Sequence, residues 1–179
     1  MHGWGRRRSG LVVRFFAKLS NSEFVILEDG FIRSIGLGNS QSFSIVEDCV
    51  GIYYDAKTPS KLENLLNDYD FKSNYVLLKK STHAIDLIKK YQISKYNHAP
   101  NIDDDYFSNA KSNKVLIIAQ TKGDLSLEYG LAGRFNTNEI IDAAIEENPN
   151  SEIYLKVHPD VLNGRKDSDI DIESVVDKC

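Results

Sequence analysis

The sequence is poor in the residues that staple or punctuate a chain. It holds 179 residues, of which 2 are cysteine, 4 proline, 1 tryptophan and 1 methionine. Two cysteines, Cys49 and Cys179, are too few for a disulfide framework, and a reducing cytoplasm is the default setting for such a chain. No apolar run approaches the roughly 18–20 residues needed to cross a bilayer. The opening MHGWGRRRSGLVVRFFAKL has the outline of a signal peptide, but Arg14 and Lys18 interrupt its apolar part and no small-residue cleavage site follows. Positive charge is not in excess: 22 Lys and Arg stand against 26 Asp and Glu, a net charge of -4 that gives no reason to expect nucleic acid. Internal repeats and low-complexity tracts are missing too. What is there is ordinary soluble composition, 41% hydrophobic and 27% charged, enough for one core or two small domains.

Short β-branched runs mark the strands. Val115–Ala119 (VLIIA) is too short for a helix and reads as a strand buried on both faces. Glu23–Leu27 (EFVIL), Ser42–Glu47 (SFSIVE), Val50–Asp55 (VGIYYD) and Glu152–Val157 (EIYLKV) are the others. Helical spacing predicts a helix from Gly10 to Leu19, capped by Ser9, with Leu11, Val12, Phe15, Phe16 and Leu19 on one face. That face fits packing on a sheet; as a basic amphipathic helix it also fits a membrane surface. Thr58 as cap and Pro59 in the first turn open a second helix, with Leu62, Leu65 and Leu66 on its apolar side. A third runs from Asn74 to Tyr91. Asn136 and Glu139 form a capping box for a fourth, Thr137–Glu147. Residues 96–113, with Pro100 and the acids Asp103, Asp104 and Asp105, read as a linker between residues 1–95 and 114–179. The three acids lack the spacing and terminal Glu of an EF-hand, so solvated linker is preferred to a metal site. His83 and His98 read as ordinary surface or boundary histidines.

Chemistry collects where strands end. In open α/β sheets, ligands sit beyond the carboxyl ends of the strands. After Ala119 the chain reads Gln120-Thr121-Lys122-Gly123-Asp124, and Asp124 projects from a tight turn as a nucleophile, a base, a metal ligand or only a loop cap. After Val157 comes His158-Pro159-Asp160. Strand, helix and strand between them make a βαβ unit, which puts Asp124 and His158 at the same sheet edge. Lys156 and Arg165 make that edge electropositive and suited to a phosphate. Glu28-Asp29-Gly30 forms another acidic strand end, with Arg33 close behind; it reads as an acid/base pair or as a turn with a surface ion pair. Gly30, Gly36 and Gly38 suit close backbone approach but do not make a dinucleotide fingerprint. Arg6, Arg7 and Arg8 are a solvated charge run or an anion clamp. In the acidic tail, Ile170, Ile172, Val175 and Val176 are available for packing.

Read together, WGRR, LEDGFIRSIGLG, GIYYDAKTPSKLE, QTKGDLSLEYG, LKVHPD and Gly164-Arg165 resemble the bacterial capsular polysaccharide β-Kdo transferases of the KpsC type, over residues 4 to 165. These transfer Kdo, an eight-carbon acidic ketosugar, from CMP-Kdo. The resemblance implies an α/β, GT-B-like fold made of parts of two Rossmann-type domains with parallel sheets, an acceptor-side domain (1–95) and a CMP-sugar-side domain (114–179). It implies retaining transfer of Kdo to a lipid-linked glycan primer at the cytoplasmic face of the inner membrane. Asp124 matches the carboxylate nucleophile, Glu28 the acid/base with Asp29 beside it, and His158 and Pro159 the HP motif that meets the CMP phosphate. Lys156 and Arg165 are phosphate partners by extension, and Arg33 and Gln120 substrate contacts. Two carboxylates suit retention, and Lys156, Arg165 and His158 can stabilise the phosphate without a metal or other cofactor. The family's earlier strands and its later HTLTS-like segment are not in this sequence, so the expectation is part of one transferase module. Two alternatives stay beside it: a non-catalytic interaction module that keeps the fold, and a sialyltransferase-like enzyme using another CMP-sugar.

Overall fold

The computed structural model describes residues 1–34, 40–95, 100–103, 105–108, 113–170 and 175. Gly36, Gly38, His98, Asp104, Ile172, Val176 and Cys179 lie outside the described residues. The chain divides into two compact units, Met1–Asn101 and Ile102–Cys179. It is an α/β protein with a short mixed sheet in the first unit and a parallel pair in the second.

The first unit is built on β1 (His2–Trp4), α1 (Arg8–Ser20), β2 (Val25–Asp29), β3 (Ile45–Asp48), α2 (Lys61–Asp68) and α3 (Tyr75–Lys90). The sheet order is β1-β2-β3, with β1 parallel and β3 antiparallel to β2. Ile26 of β2 and Ile52, which follows β3, are fully buried in this unit. The strand containing Glu28 begins later than the apolar run suggests and runs on through Glu28 and Asp29, because the paired β3 supplies partners as far as Asp29. Residues 50–55 form turns rather than a strand. The buried Asp48 carboxylate accepts the amides of both Val50 and Gly51, which folds the chain back before a ladder can start.

Three helix details also depart from expectation. Ser9 lies inside α1 and its hydroxyl accepts the amide of Trp4, so α1 starts without a side-chain cap. The face of α1 that buries itself carries the small residues Gly10 and Ala17, which let the helix approach β1 closely. The expected packing face is turned out: Phe15 is 60% and Leu19 68% exposed, and Leu11, Val12 and Phe16 are exposed with them. Ser60, not Thr58, caps α2 by accepting the Glu63 amide, and Pro59 stands before the cap. Leu62, Leu65 and Leu66 are exposed on α2, and neither α2 nor α3 buries a residue completely. Asn74 caps α3 through the Leu77 amide.

The second unit is the expected βαβ element: β4 (Asn113–Ile118), α4 (Leu125–Tyr129), α5 (Thr137–Glu147), β5 (Ser151–Lys156) and α6 (Pro159–Leu162). β4 and β5 pair in parallel from Asn113↔Ser151 to Ile118↔Lys156. Asn136 and Glu139 make the capping box of α5. Ile141 of α5 packs with Ile117, Ala119, Ile153, Ile170 and Val175. β4 is buried on one face only: alternation sends Ile117 inward and leaves Leu116 and Ile118 each 60% exposed. Part of the segment read as linker packs here, with the Phe107 ring 5.0 Å and the Tyr106 ring 6.2 Å from Tyr154 of β5. Among the described residues no helix is long and apolar enough to cross a membrane, and no group of three or more His, Cys, Asp or Glu is placed to hold a metal.

Candidate functional site

In the second unit, the parallel pairing of β4 and β5 brings the Gln120–Asp124 turn and His158 to one edge. Gly123 has φ +76°, a conformation that side-chain-bearing residues rarely adopt, and so turns the chain for Asp124. Asp124 then caps α4, accepting the Ser126 amide at 2.9 Å. Partial desolvation opposes its charge. The Ser126 amide and hydroxyl, Lys166 and His158 together outweigh that and hold the Asp124 carboxyl below its ordinary value. Asp124, His158 and Lys166 are therefore electrostatic neighbours. Asp124 and Gln120 also line an open cavity of about 720 Å³, with Lys122, Arg134 and Asp169 on its wall.

His158 caps α6, with Pro159 at the first helical position. Its Nδ1 accepts the Asp160 amide at 3.1 Å, which assigns the ring proton of the neutral form to Nε2 as a donor. Lys156 is the exposed last residue of β5, opposite Ile118. The Asp160 carbonyl accepts the amides of both Arg165 and Lys166, at 2.7 and 3.0 Å. The chain then returns to the Gln120–Asp124 turn: the Lys122 amide donates to the Asp167 carbonyl at 3.1 Å, and the Asp169 carboxylate accepts both the amide and the hydroxyl of Thr137. Gln120 is exposed and its amide donates back to the Ile118 carbonyl.

In the first unit, Glu28 and Asp29 are consecutive in β2, so their side chains leave opposite faces of the strand. They do not form one paired-acid centre. Asp29 pairs with Arg33, Nε to Oδ1 at 2.8 Å. Glu28 turns instead toward Gly5 and Tyr54. Beneath it, Arg6 is buried in an ion pair with Asp55 and donates to Thr58 at 2.9 Å. Of the arginine run, Arg6 is thus structural, while Arg7 and Arg8 are exposed. Sequence reading passed over Tyr54, Asp55, Lys166 and Asp169. Tyr54 and Asp55 had a signal, since they stand in the GIYYDA motif; Lys166 and Asp169 had none beyond their nearness to HPD.

The sequence matches the capsule polysaccharide biosynthesis protein family over residues 1–176. It is 44% identical over 168 residues to the capsule polysaccharide modification protein LipA of Neisseria meningitidis serogroup A, a match that spans 92% of this chain and 24% of LipA. It is 33% identical to the lipopolysaccharide-processing protein LpsZ of Rhizobium meliloti, over 78% of this chain and 32% of LpsZ. The chain therefore spans a quarter to a third of the length of these curated relatives. Among solved structures it resembles the β-Kdo 2,4 transferase of Thermosulfurimonas dismutans KpsC, with TM-score 0.83 and 41% identity over 93% of this chain and 51% of the other. The β-Kdo 2,7 transferase of the same KpsC follows, with TM-score 0.62 and 34% identity over 89% of this chain and 47% of the other. With the family matched across nearly the whole sequence, the chain belongs to the capsule polysaccharide biosynthesis proteins.

Proposed function

We propose that the chain contributes the catalytic groups of a β-Kdo transferase that moves Kdo from CMP-Kdo to a lipid-linked glycan primer with retention of configuration. The observation that carries this reading is the edge shared by β4 and β5. There an ionised carboxylate, Asp124, stands beside His158 and Lys166, in a chain similar to two solved Kdo transferase domains. Asp124 attacks the anomeric carbon, and the bond to CMP breaks with its electron pair on the phosphate oxygen. His158, Lys156 and Arg165 stabilise that anion, so the step runs without a metal or other cofactor. In the second displacement an acceptor hydroxyl attacks the same carbon. Glu28 takes the hydroxyl proton, and Asp124 is released. Two inversions give retention. Arg33 and Gln120 serve as substrate contacts. The GT-B assignment, the cytoplasmic setting and peripheral attachment at the inner membrane belong to the same proposal, with the exposed apolar face of α1 and its basic flanks Arg7, Arg8 and Lys18 as the attachment surface.

Calorimetric titration of the chain with CMP, followed by a transfer assay with CMP-Kdo and a Kdo-primed acceptor, tests the reading. The expected results are saturable CMP binding that weakens about tenfold in His158→Ala, the equivalent of about 1.4 kcal/mol, and transfer that disappears in Asp124→Asn while CMP still binds. Full transfer by Asp124→Asn, or a His158→Ala affinity equal to wild type, defeats it. Competition by CMP-sialic acid at equal strength would move the assignment to another CMP-sugar.

A further inference from the structure

The Tyr54 hydroxyl has two partners. It accepts the Arg6 amide at 2.9 Å, and it stands beside the Glu28 carboxylate, both meeting at Gly5. A phenol carries one proton, and an N–H cannot accept it, so the proton is left for the carboxylate. The crowding around Gly5 shows how tightly the three elements meet. A Cβ on Gly5 would stand 2.5 Å from the Tyr54 hydroxyl and 2.6 Å from Glu28 Oε2, and Gly5 has φ +44°. Only glycine lets both oxygens close on that point. The other Glu28 oxygen, Oε1, accepts the Asp29 amide at 3.1 Å. That bond leaves Oε2 as the oxygen that faces the Tyr54 hydroxyl at Gly5.

The donor is itself anchored. Arg6 meets the 54–58 turn twice, through its amide to Tyr54 and through its buried guanidinium to Asp55 and Thr58. Asp55 follows Tyr54 directly, so the ion pair fixes the backbone that presents the phenol. Asp48 fixes the start of the same turn through the Val50 and Gly51 amides. The WGR and GIYYD segments thus converge on one side chain of β2.

Resting on the transferase reading above, we propose that Tyr54 is the positioning residue for Glu28: its hydroxyl, oriented by the Arg6 amide, donates to the Glu28 carboxylate and holds it aimed to take the acceptor proton. The phenol keeps its proton across the whole neutral range. Burial pushes its pKa up, the Arg6 amide opposes the rise, and the Glu28 charge adds to it, for a value of about 12. Tyr54 therefore remains a donor wherever Glu28 is a carboxylate.

Tyr54→Phe removes only the hydroxyl oxygen. The variant is expected to lower kcat for transfer roughly 10–100-fold, the scale set by misplacing a reacting group, and to lower the KM for CMP-Kdo in proportion, so that kcat/KM for the donor is unchanged. Donor cleavage does not use Glu28, so a first-turnover burst of CMP release should persist and the acceptor step should become slow. A purely structural role would lower the melting temperature but leave turnover per folded molecule and the burst-to-steady-state ratio unchanged, and that result overturns the proposal. A second readout needs no turnover. With 13C-labelled tyrosine, the Tyr54 Cζ resonance should shift as acid protonates the carboxylate, and this response should vanish in Glu28→Gln. If wild type transfers no Kdo, the transferase reading fails and the Cζ response decides the contact; a resonance indifferent to Glu28→Gln overturns the proposal whatever the activity.

Discussion

Replacing Asp48 gives the sharpest test of how the first unit is held. Asp48 is 1% exposed. Its Oδ1 accepts the Val50 and Gly51 amides, each at 2.8 Å, and its Oδ2 accepts the Lys61 amide at 2.9 Å at the start of α2. One carboxylate thus ends β3, starts the turn that carries Tyr54 and seats α2. Asp48→Ala strands three donors. A buried donor left unmade costs about 1–3 kcal/mol; counting Gly51 in full and the two part-buried amides at half gives about 2–6 kcal/mol. A domain has only about 5–15 kcal/mol in total. Asp48→Asn keeps one acceptor oxygen for Val50 and Gly51 and turns an NH2 toward the Lys61 amide, for a loss of about 1–3 kcal/mol. Trp4 is the single tryptophan and lies in β1 of the same unit, so its fluorescence during urea unfolding reports this unit. The order of stability should be wild type, Asn, Ala. If Ala proves too unstable to fold, the Asn variant carries the measurement. A loss below about 1 kcal/mol for Ala, with unchanged denaturant dependence, would show that water reaches these amides and that the turn holds without the carboxylate.

Two further outcomes concern the second unit. Gly123→Ala puts a Cβ into open space at φ +76°, so its cost is backbone strain alone, about 1–2 kcal/mol, and a fall of several degrees in melting temperature is expected; a change under about 2 °C would mean that the turn relaxes. The Asp124 carboxyl, with its folded-state pKa depressed, should titrate below 3.8 in a carboxylate NMR titration. The stability it contributes is complete above that ordinary value and is lost as pH falls through the lower folded-state one; Lys166→Ala should move the midpoint up, and a wild-type midpoint at or above 3.8 contradicts the charge cluster.

The βαβ unit was legible because its signals are local and agree: a β-branched run, a capping box and a second run in sequence. α5 falls on the residues the capping box predicts. The strand-end positions of Asp124 and His158 follow from that alone. The first unit was less legible, for different reasons in each place. Apolar periodicity picked the outward face of α1, because docking there is decided by the small residues Gly10 and Ala17 rather than by the large ones. Aromatic strand propensity at residues 52–54 lost to a single carboxylate, Asp48. The meeting of Tyr54 with Glu28 joins residues far apart in sequence through the amide of a third, Arg6. A backbone donor leaves no trace in a pattern of side chains, so no periodicity could have announced it.

The bonds from the 167–169 segment back to Lys122 and Thr137 set an order of events during synthesis. Thr137 and Asp169 are 32 residues apart. At ribosomal rates of about 5–20 residues per second, Asp169 is added roughly 2–6 seconds after Thr137. Through that interval the nascent turn around Gly123 lacks one of its anchors, and α5 begins with an unanswered amide. The loop that carries Asp124 is therefore among the last parts of this unit to acquire a fixed shape, after both strands that flank it have been translated.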